Sequence, residues 1–192
     1  MKENMSRMLL LVPRMYTEAE FMRLVGTLPG DFESKTLEFW DYVNDKLQVF
    51  TNRVKRVYRD EVYQFGEEAL AYLSSIDRSN YLVVKKLVES GAVFESTEDS
   101  MLVSESKAWL EMVESQPLNA VASEFYQETV RERDGYVSKR IGETLADDEV
   151  GVLFIEPSRR ITLDERFKII KVCRFDPADY LRSWQIQRAL SK

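Results

Sequence analysis

Counting in steps of three and four from Tyr126 gives Val130, Arg133, Val137 and Ile141, the spacing of one face of an α-helix. A single arginine therefore interrupts an apolar stripe and should point inward, where an unpaired charge is too costly to persist. Arg140 follows seven residues on, on a similar face. Arg133 and Arg140, with Asp134 beside them, form a candidate ligand-binding set in which the two guanidinium groups could hold a small anion. The other outcome is that Arg133 pairs with an internal carboxylate and only fixes the packing of its helix.

A second cluster is acidic: Glu95, Glu98, Asp99 and Glu105, at a strand-to-helix crossover. Several carboxylates at the end of a parallel strand can hold Mg²⁺ or divide the work of acid and base, which would make the chain a Mg-dependent hydrolase or transferase. The same residues also read as helix capping, because Thr97, Asp99 and Ser100 are natural caps and acids near a helix N-terminus interact favourably with its dipole. Ser158 follows the most apolar run of the chain, where α/β sheets often carry catalytic groups. A nucleophilic serine needs a base, however, and Pro157-Ser158-Arg159-Arg160 is not a Gly-x-Ser-x-Gly elbow. It reads as a loop serine.

The chain contains no histidine. That removes Ser-His-Asp and Cys-His nucleophiles, histidine-containing zinc sites and imidazole proton shuttles. Neither Gly-x-Gly-x-x-Gly nor a Gly-Lys-Ser/Thr phosphate loop occurs, so nothing here asks for a nucleotide cofactor or a resident metal. A net charge of −6 disfavours nucleic acid, whose binding rests on Lys and Arg neutralising phosphates. The local basic cluster Arg53, Lys55, Arg56 and Arg59 falls on both faces of an extended segment and reads as a solvated or edge strand. These readings favour a non-catalytic protein that binds a protein partner or a small anionic ligand. Three Trp, nine Tyr and ten Phe leave material for a homo-oligomeric interface.

The elements that must position these groups alternate between two periods. Arg7 to Met15 reads as a buried strand closed by Pro13. A helix follows, opened by the capping box Thr17-x-x-Glu20 and stopped by Pro29-Gly30. A second helix spans about residues 34 to 52 with a stripe of Leu37, Trp40, Val43, Leu47 and Phe50. Val54 to Tyr63 reads as a strand. Glu67 to Ile76 and Asn80 to Glu89 read as helices, the second capped by Ser79 and ended by Gly91. Ala92 to Glu95 is a short strand, Met101 to Glu114 a helix, and Leu118 to Leu145 the longest helix. Val150 to Ile155, apolar on both faces, is the central strand; Phe167 to Cys173 is the last strand, with Cys173 buried on it. Asp176 and Pro177 open a final helix. The alternation predicts a single α/β domain over residues 1–192: a mostly parallel sheet of about 4–5 strands with helices on both faces, Rossmann-like. A chain of this length can bury roughly 70% of its unfolded surface without staples. The lone cysteine suits a reducing cytoplasm, and Met1 to Met8 followed by only four strongly apolar residues reads as neither a signal peptide nor a membrane span.

The stretch Arg131 to Ile155, with Glu132-Arg133-Asp134, Ile141, Leu145 and the strand Gly151 to Ile155, resembles the C-terminal part of TraB and ChaN-like proteins. The resemblance implies a helix bearing Glu-Arg-Asn/Asp ahead of a strand that ends in a Gly-x-x-His turn. Here the strand runs into Glu156-Pro157-Ser158 instead. The resemblance thus implies an α/β relative that has lost the histidine of the active-site pattern, so activity does not carry over.

Overall fold

In a computed structural model that describes residues 7–190, five strands form one parallel sheet. In chain order the elements are β1 (Arg7–Pro13), α1 (Glu18–Val25), α2 (Phe32–Gln48), β2 (Val54–Arg59), α3 (Gly66–Ile76), α4 (Arg78–Glu89), β3 (Val93–Phe94), α5 (Ser100–Ser115), α6 (Ala120–Thr144), β4 (Val150–Ile155), β5 (Phe167–Lys171) and α7 (Pro177–Leu190). The strand order is β3-β2-β4-β1-β5. This is the mostly parallel, Rossmann-like α/β arrangement that the alternating pattern predicts. The part of the N-terminal reading that rests on residues 1–6 lies outside the described residues. Among the described residues, no helix is long and apolar enough to cross a membrane.

Strand β4 lies in the middle and is buried at every position. Val150, Val152 and Phe154 face the larger core, whereas Leu153 and Ile155 face a smaller one on the opposite side. A continuous apolar run is what such two-sided burial requires. The larger core receives Phe21 of α1, Phe39 of α2, Leu73 of α3, Val84 of α4 and Leu181 of α7. On the other face α6 packs through Val137 and Ile141, joined by Ile161 and Leu163 from the segment after β4. Gly151 lets this layer close: a Cβ there would lie only 3.1–3.2 Å from Leu145 and Tyr58 side-chain atoms.

Several local expectations are corrected. Strand β2 is interior, between β3 and β4, and Arg59 at its end is 1% exposed rather than solvated. Its two core valines, Val54 and Val57, are three residues apart because the register shifts between Val54 and Arg56; a bulge adds one residue to the period of two. In α2, Leu37 is exposed and Phe39 takes a core position instead. Asp77, not Ser79, caps α4, accepting the Asn80 N–H. Strand β5 stops at Lys171, so Cys173 lies two residues past the sheet and is only half-buried.

Candidate functional site

The loops after β1 and β4 leave adjacent strands for opposite faces of the sheet. Residues 14–17 lead to α1 on the larger core, while the segment after β4 passes over the smaller core before β5. Diverging loops at the carboxyl ends of neighbouring parallel strands open a crevice, the usual ligand position in open α/β sheets. The strand ends are stitched together there: Arg14 N–H donates to Ile155 O at 2.9 Å, Asp60 N–H to Phe154 O at 3.1 Å, and Glu156 N–H to Asp60 Oδ2 at 2.8 Å.

Charged residues follow almost every strand at this edge, and they bury one another. Arg14 binds Glu20 through two parallel hydrogen bonds of 2.9 and 2.7 Å and donates from Nε to Asp60 at 3.1 Å. Glu20 is positioned by the capping box of α1, where it also accepts the Thr17 N–H. Asp60 accepts from Arg59 as well, and Arg59 Nε reaches Asn80 at 3.1 Å. Glu98 holds Arg133 through Nε at 2.6 Å and Nη2 at 2.8 Å, Arg159 through Nη1 at 2.7 Å, and the Glu61 N–H at 2.8 Å. Asp134 accepts Arg159 Nε and the Arg160 N–H. Among the described residues, four arginines (Arg14, Arg59, Arg133, Arg159) are buried against Asp60, Asp77, Glu98 and Asp134, while the buried Glu95 pairs with the part-buried Arg56 and Arg140. Taking such charges out of water is tolerable only when each is paired and hydrogen-bonded.

This mutual pairing sets the proton affinities. Burial opposes ionisation of Asp60, but Arg59, Arg14 and Arg159 outweigh it and hold the carboxyl well below its usual range. Glu98 is likewise lowered, burial being overcome by the Arg133 hydrogen bonds and the Arg159 charge. These two carboxylates therefore stay ionised at neutral pH and are not poised as proton donors. Burial, with Glu156, pushes the Tyr16 hydroxyl up, so it remains a neutral donor to Glu156 Oε1 at 3.0 Å. Asp77 moves the other way: burial raises it, and Arg59 only partly offsets this.

On the larger-core side, a cleft of about 510 Å³ opens between the β1–α1 loop, α2 and the start of α4. That volume falls in the range of small-molecule sites, about 300–1,000 Å³. Its walls include Met15, Phe32, Trp40, Ile76 and Val83. Two polar atoms in the wall, Asp77 Oδ2 and Thr36 Oγ1, have no hydrogen-bond partner among the described residues. Asp77 Oδ1 accepts the Asn80 N–H at 3.0 Å, but Oδ2 lies 3.7 Å from Arg59 Nη2, beyond hydrogen-bonding distance. Leaving a buried acceptor unmade costs about 1–3 kcal/mol.

Arg133 is thus buried and paired with Glu98, with Nη1 also donating to Ser106 at 3.1 Å. Arg140 does not join it: Arg140 donates to Ser96 O at 3.2 Å and reaches Glu95 at 3.4 Å, and Glu95 is shared with Arg56 at 2.6 Å. Asp134 faces Arg159. Of the acidic cluster, Asp99 caps α5 by accepting the Met101 and Leu102 N–H groups, and Glu105 accepts from Trp109 on the helix surface. Glu95 and Glu98 belong to the ion pairs instead. Among the described residues, no group of three His, Cys, Asp or Glu side chains is placed to hold a metal ion. Ser158 is exposed and donates to Glu156. Asp60, Asp77, Arg14 and Asn80 carry no periodic signal; their only mark in the sequence is a place just past a strand, just before a helix or, for Asn80, in the first turn of α4. Comparisons with family models, curated proteins and solved structures find no match to this chain.

Proposed function

We propose that this protein binds a small organic ligand, without transforming it, in the cleft beside the carboxyl end of β1. The observation that carries the reading is Asp77, a buried carboxyl with one oxygen unpartnered in the wall of a cleft of ligand size. A carboxyl whose pKa is raised by burial, set in a cleft, is the kind of perturbed group that clusters at functional positions. The charge network at the strand ends supports binding over catalysis, since Asp60, Glu98 and Asp134 are each committed to arginines that hold them rigidly. The missing histidine of the TraB and ChaN-like pattern agrees with this reading.

Thermal melting against a ligand collection, with and without Mg²⁺, tests it, because a ligand that binds the folded state raises the midpoint. The expected hit is recovered chemically unchanged and loses its effect in Leu82→Trp, which fills the cleft mouth. Conversion of the hit to a new product by the folded chain, lost in Leu82→Trp, would instead establish an enzyme.

One observation favours a small anion as a second reading. Arg159 Nη2 is buried without a hydrogen-bond partner among the described residues, and Arg159, Arg160 and Lys171 line a pocket of about 230 Å³ whose one acid is Glu156.

A further inference from the structure

Resting on the reading of the cleft as a binding site, we infer that its ligand is a primary amine on an apolar body, with the ammonium group meeting Asp77 and the body lying against Trp40 and Val83. A carboxylate is an acceptor only, so the unpartnered Asp77 Oδ2 calls for a donor from the ligand. Thr36 Oγ1 is the second unpartnered atom and can accept from the same group, which an ammonium, with three N–H bonds, can satisfy together with Asp77. Both atoms are closed to water, so an incoming N–H replaces no hydrogen bond already made there. Its entry requires a side-chain shift at the rim, a change common on binding.

The rim carries the matching sign. Glu18, Glu33 and Asp41 line the cleft with Asp77, against Arg78 and Lys86. Both cations have other partners: Lys86 Nζ donates to Asn44 Oδ1 at 2.8 Å, and the Arg78 guanidinium lies over the Tyr81 ring at 5.1 Å. Those partners are neutral, but four acids against two bases leave the lining net negative, so the field at the mouth draws in a cation and repels an anion. Trp40 adds to this, because an indole is the aromatic surface that most favours an ammonium.

The test uses three probes matched in ring and chain but differing in head group: 2-phenylethylamine, 2-phenylethanol and 3-phenylpropionate. Each is titrated into the full chain, and binding is read from the amide NMR shifts of Thr36, Asp77 and Leu82. The amine should bind about ten-fold more tightly than either of the others, the size expected for one charge-assisted hydrogen bond. Asp77→Asn should remove that advantage and leave the alcohol affinity unchanged; asparagine still caps α4, so the fold is kept. Thr36→Val, far from the cap, should weaken the amine by a smaller factor. If the alcohol or the carboxylate binds the cleft as tightly as the amine, or if Asp77→Asn leaves amine affinity intact, the amine inference is overturned while the cleft remains a site. If none of the three probes perturbs these amides, both the inference and the cleft reading fall.

Discussion

Glu98 offers the sharpest test of the buried network. It is 2% exposed and accepts four hydrogen bonds, two from Arg133, one from Arg159 and one from the Glu61 backbone. Glu98→Gln keeps the shape but removes the charge facing two buried guanidinium groups, and it turns one accepting oxygen into an NH₂ aimed at donors. Neutralising one member of a buried pair costs about 3–5 kcal/mol. Arg133→Met is milder, because Glu98 keeps Arg159 and the Glu61 N–H while an unpaired cation is removed rather than created; we expect about 1–3 kcal/mol. With a urea m-value of about 2 kcal/mol/M, the unfolding midpoint should fall by about 1.5–2.5 M for Glu98→Gln and about 0.5–1.5 M for Arg133→Met. The double variant should lose about 1–3 kcal/mol less than the sum of the single losses, since its two sites share one contact. Were Arg133→Met to cost as much as Glu98→Gln, or Glu98→Gln to cost under about 1 kcal/mol, the argument from uncompensated buried charge would be refuted.

Acid should unfold the protein through the same groups. Asp60 and Glu98 have folded-state pKa values below their unfolded ones of about 3.9 and 4.3, so the stability they contribute is complete above those values and is lost as pH falls toward the lowered folded values. Asp77, raised by burial, has the opposite sign: its contribution is present below the unfolded value and lost as pH rises through the folded one. Asp77→Asn should therefore cost little at neutral pH, because it removes a buried charge that Arg59 only partly compensates; a large loss of stability there would show that the Arg59 charge outweighs the burial. Gly151→Ala brings a methyl group to within 3.1–3.2 Å of Leu145 and Tyr58, an overpacking that should cost about 1–3 kcal/mol by thermal unfolding. Partial rescue by Leu145→Ala would place the strain at that contact. Cys173 is half-buried, with its thiol pushed up by desolvation, so a thiol reagent should label the native chain slowly at neutral pH and faster as pH rises; immediate complete labelling at neutral pH would contradict this.

The elements that could be read in advance are those whose burial repeats along the chain. Strand β4 is apolar at nearly every position because it is central, and α6 shows its stripe because one face meets the sheet. That register placed Arg133 inward before any partner was known. Where burial does not repeat, the pattern misleads. The bulge in β2 hides its alternation, and Leu37 keeps helical spacing with the core of α2 yet lies on the cleft wall, exposed. Cys173 follows a strand-like run, but pairing with β1 ends at Lys171.

The candidate site was harder to read, because its groups meet through strand order rather than spacing. Four of the five strand exits supply charged residues to it: Arg14 after β1, Asp60 and Glu61 after β2, Glu95 and Glu98 after β3, Glu156 and Arg159 after β4. The strand-end rule, which singles out Glu95 and Glu98 after β3 and Ser158 after β4, nominates Arg14, Asp60 and Glu61 as well when it is applied to β1 and β2. It could not have said which acid meets which arginine. Asp60 binds Arg14 and the Glu156 N–H only because β4 inserts between β2 and β1, and Glu98 reaches Arg159 only because β3 lies next to β2, on the side away from β1. Helix α6 then brings Arg133 and Asp134 to opposite members of that chain of pairs. Nothing local to any of these residues encodes the insertion of β4. The same logic separates Asp77 from the rest: it lies at the start of α4, where capping accounts for one carboxylate oxygen, while the other lies 3.7 Å from Arg59 Nη2 without a hydrogen bond, in a residue that lines the cleft between α2 and α4.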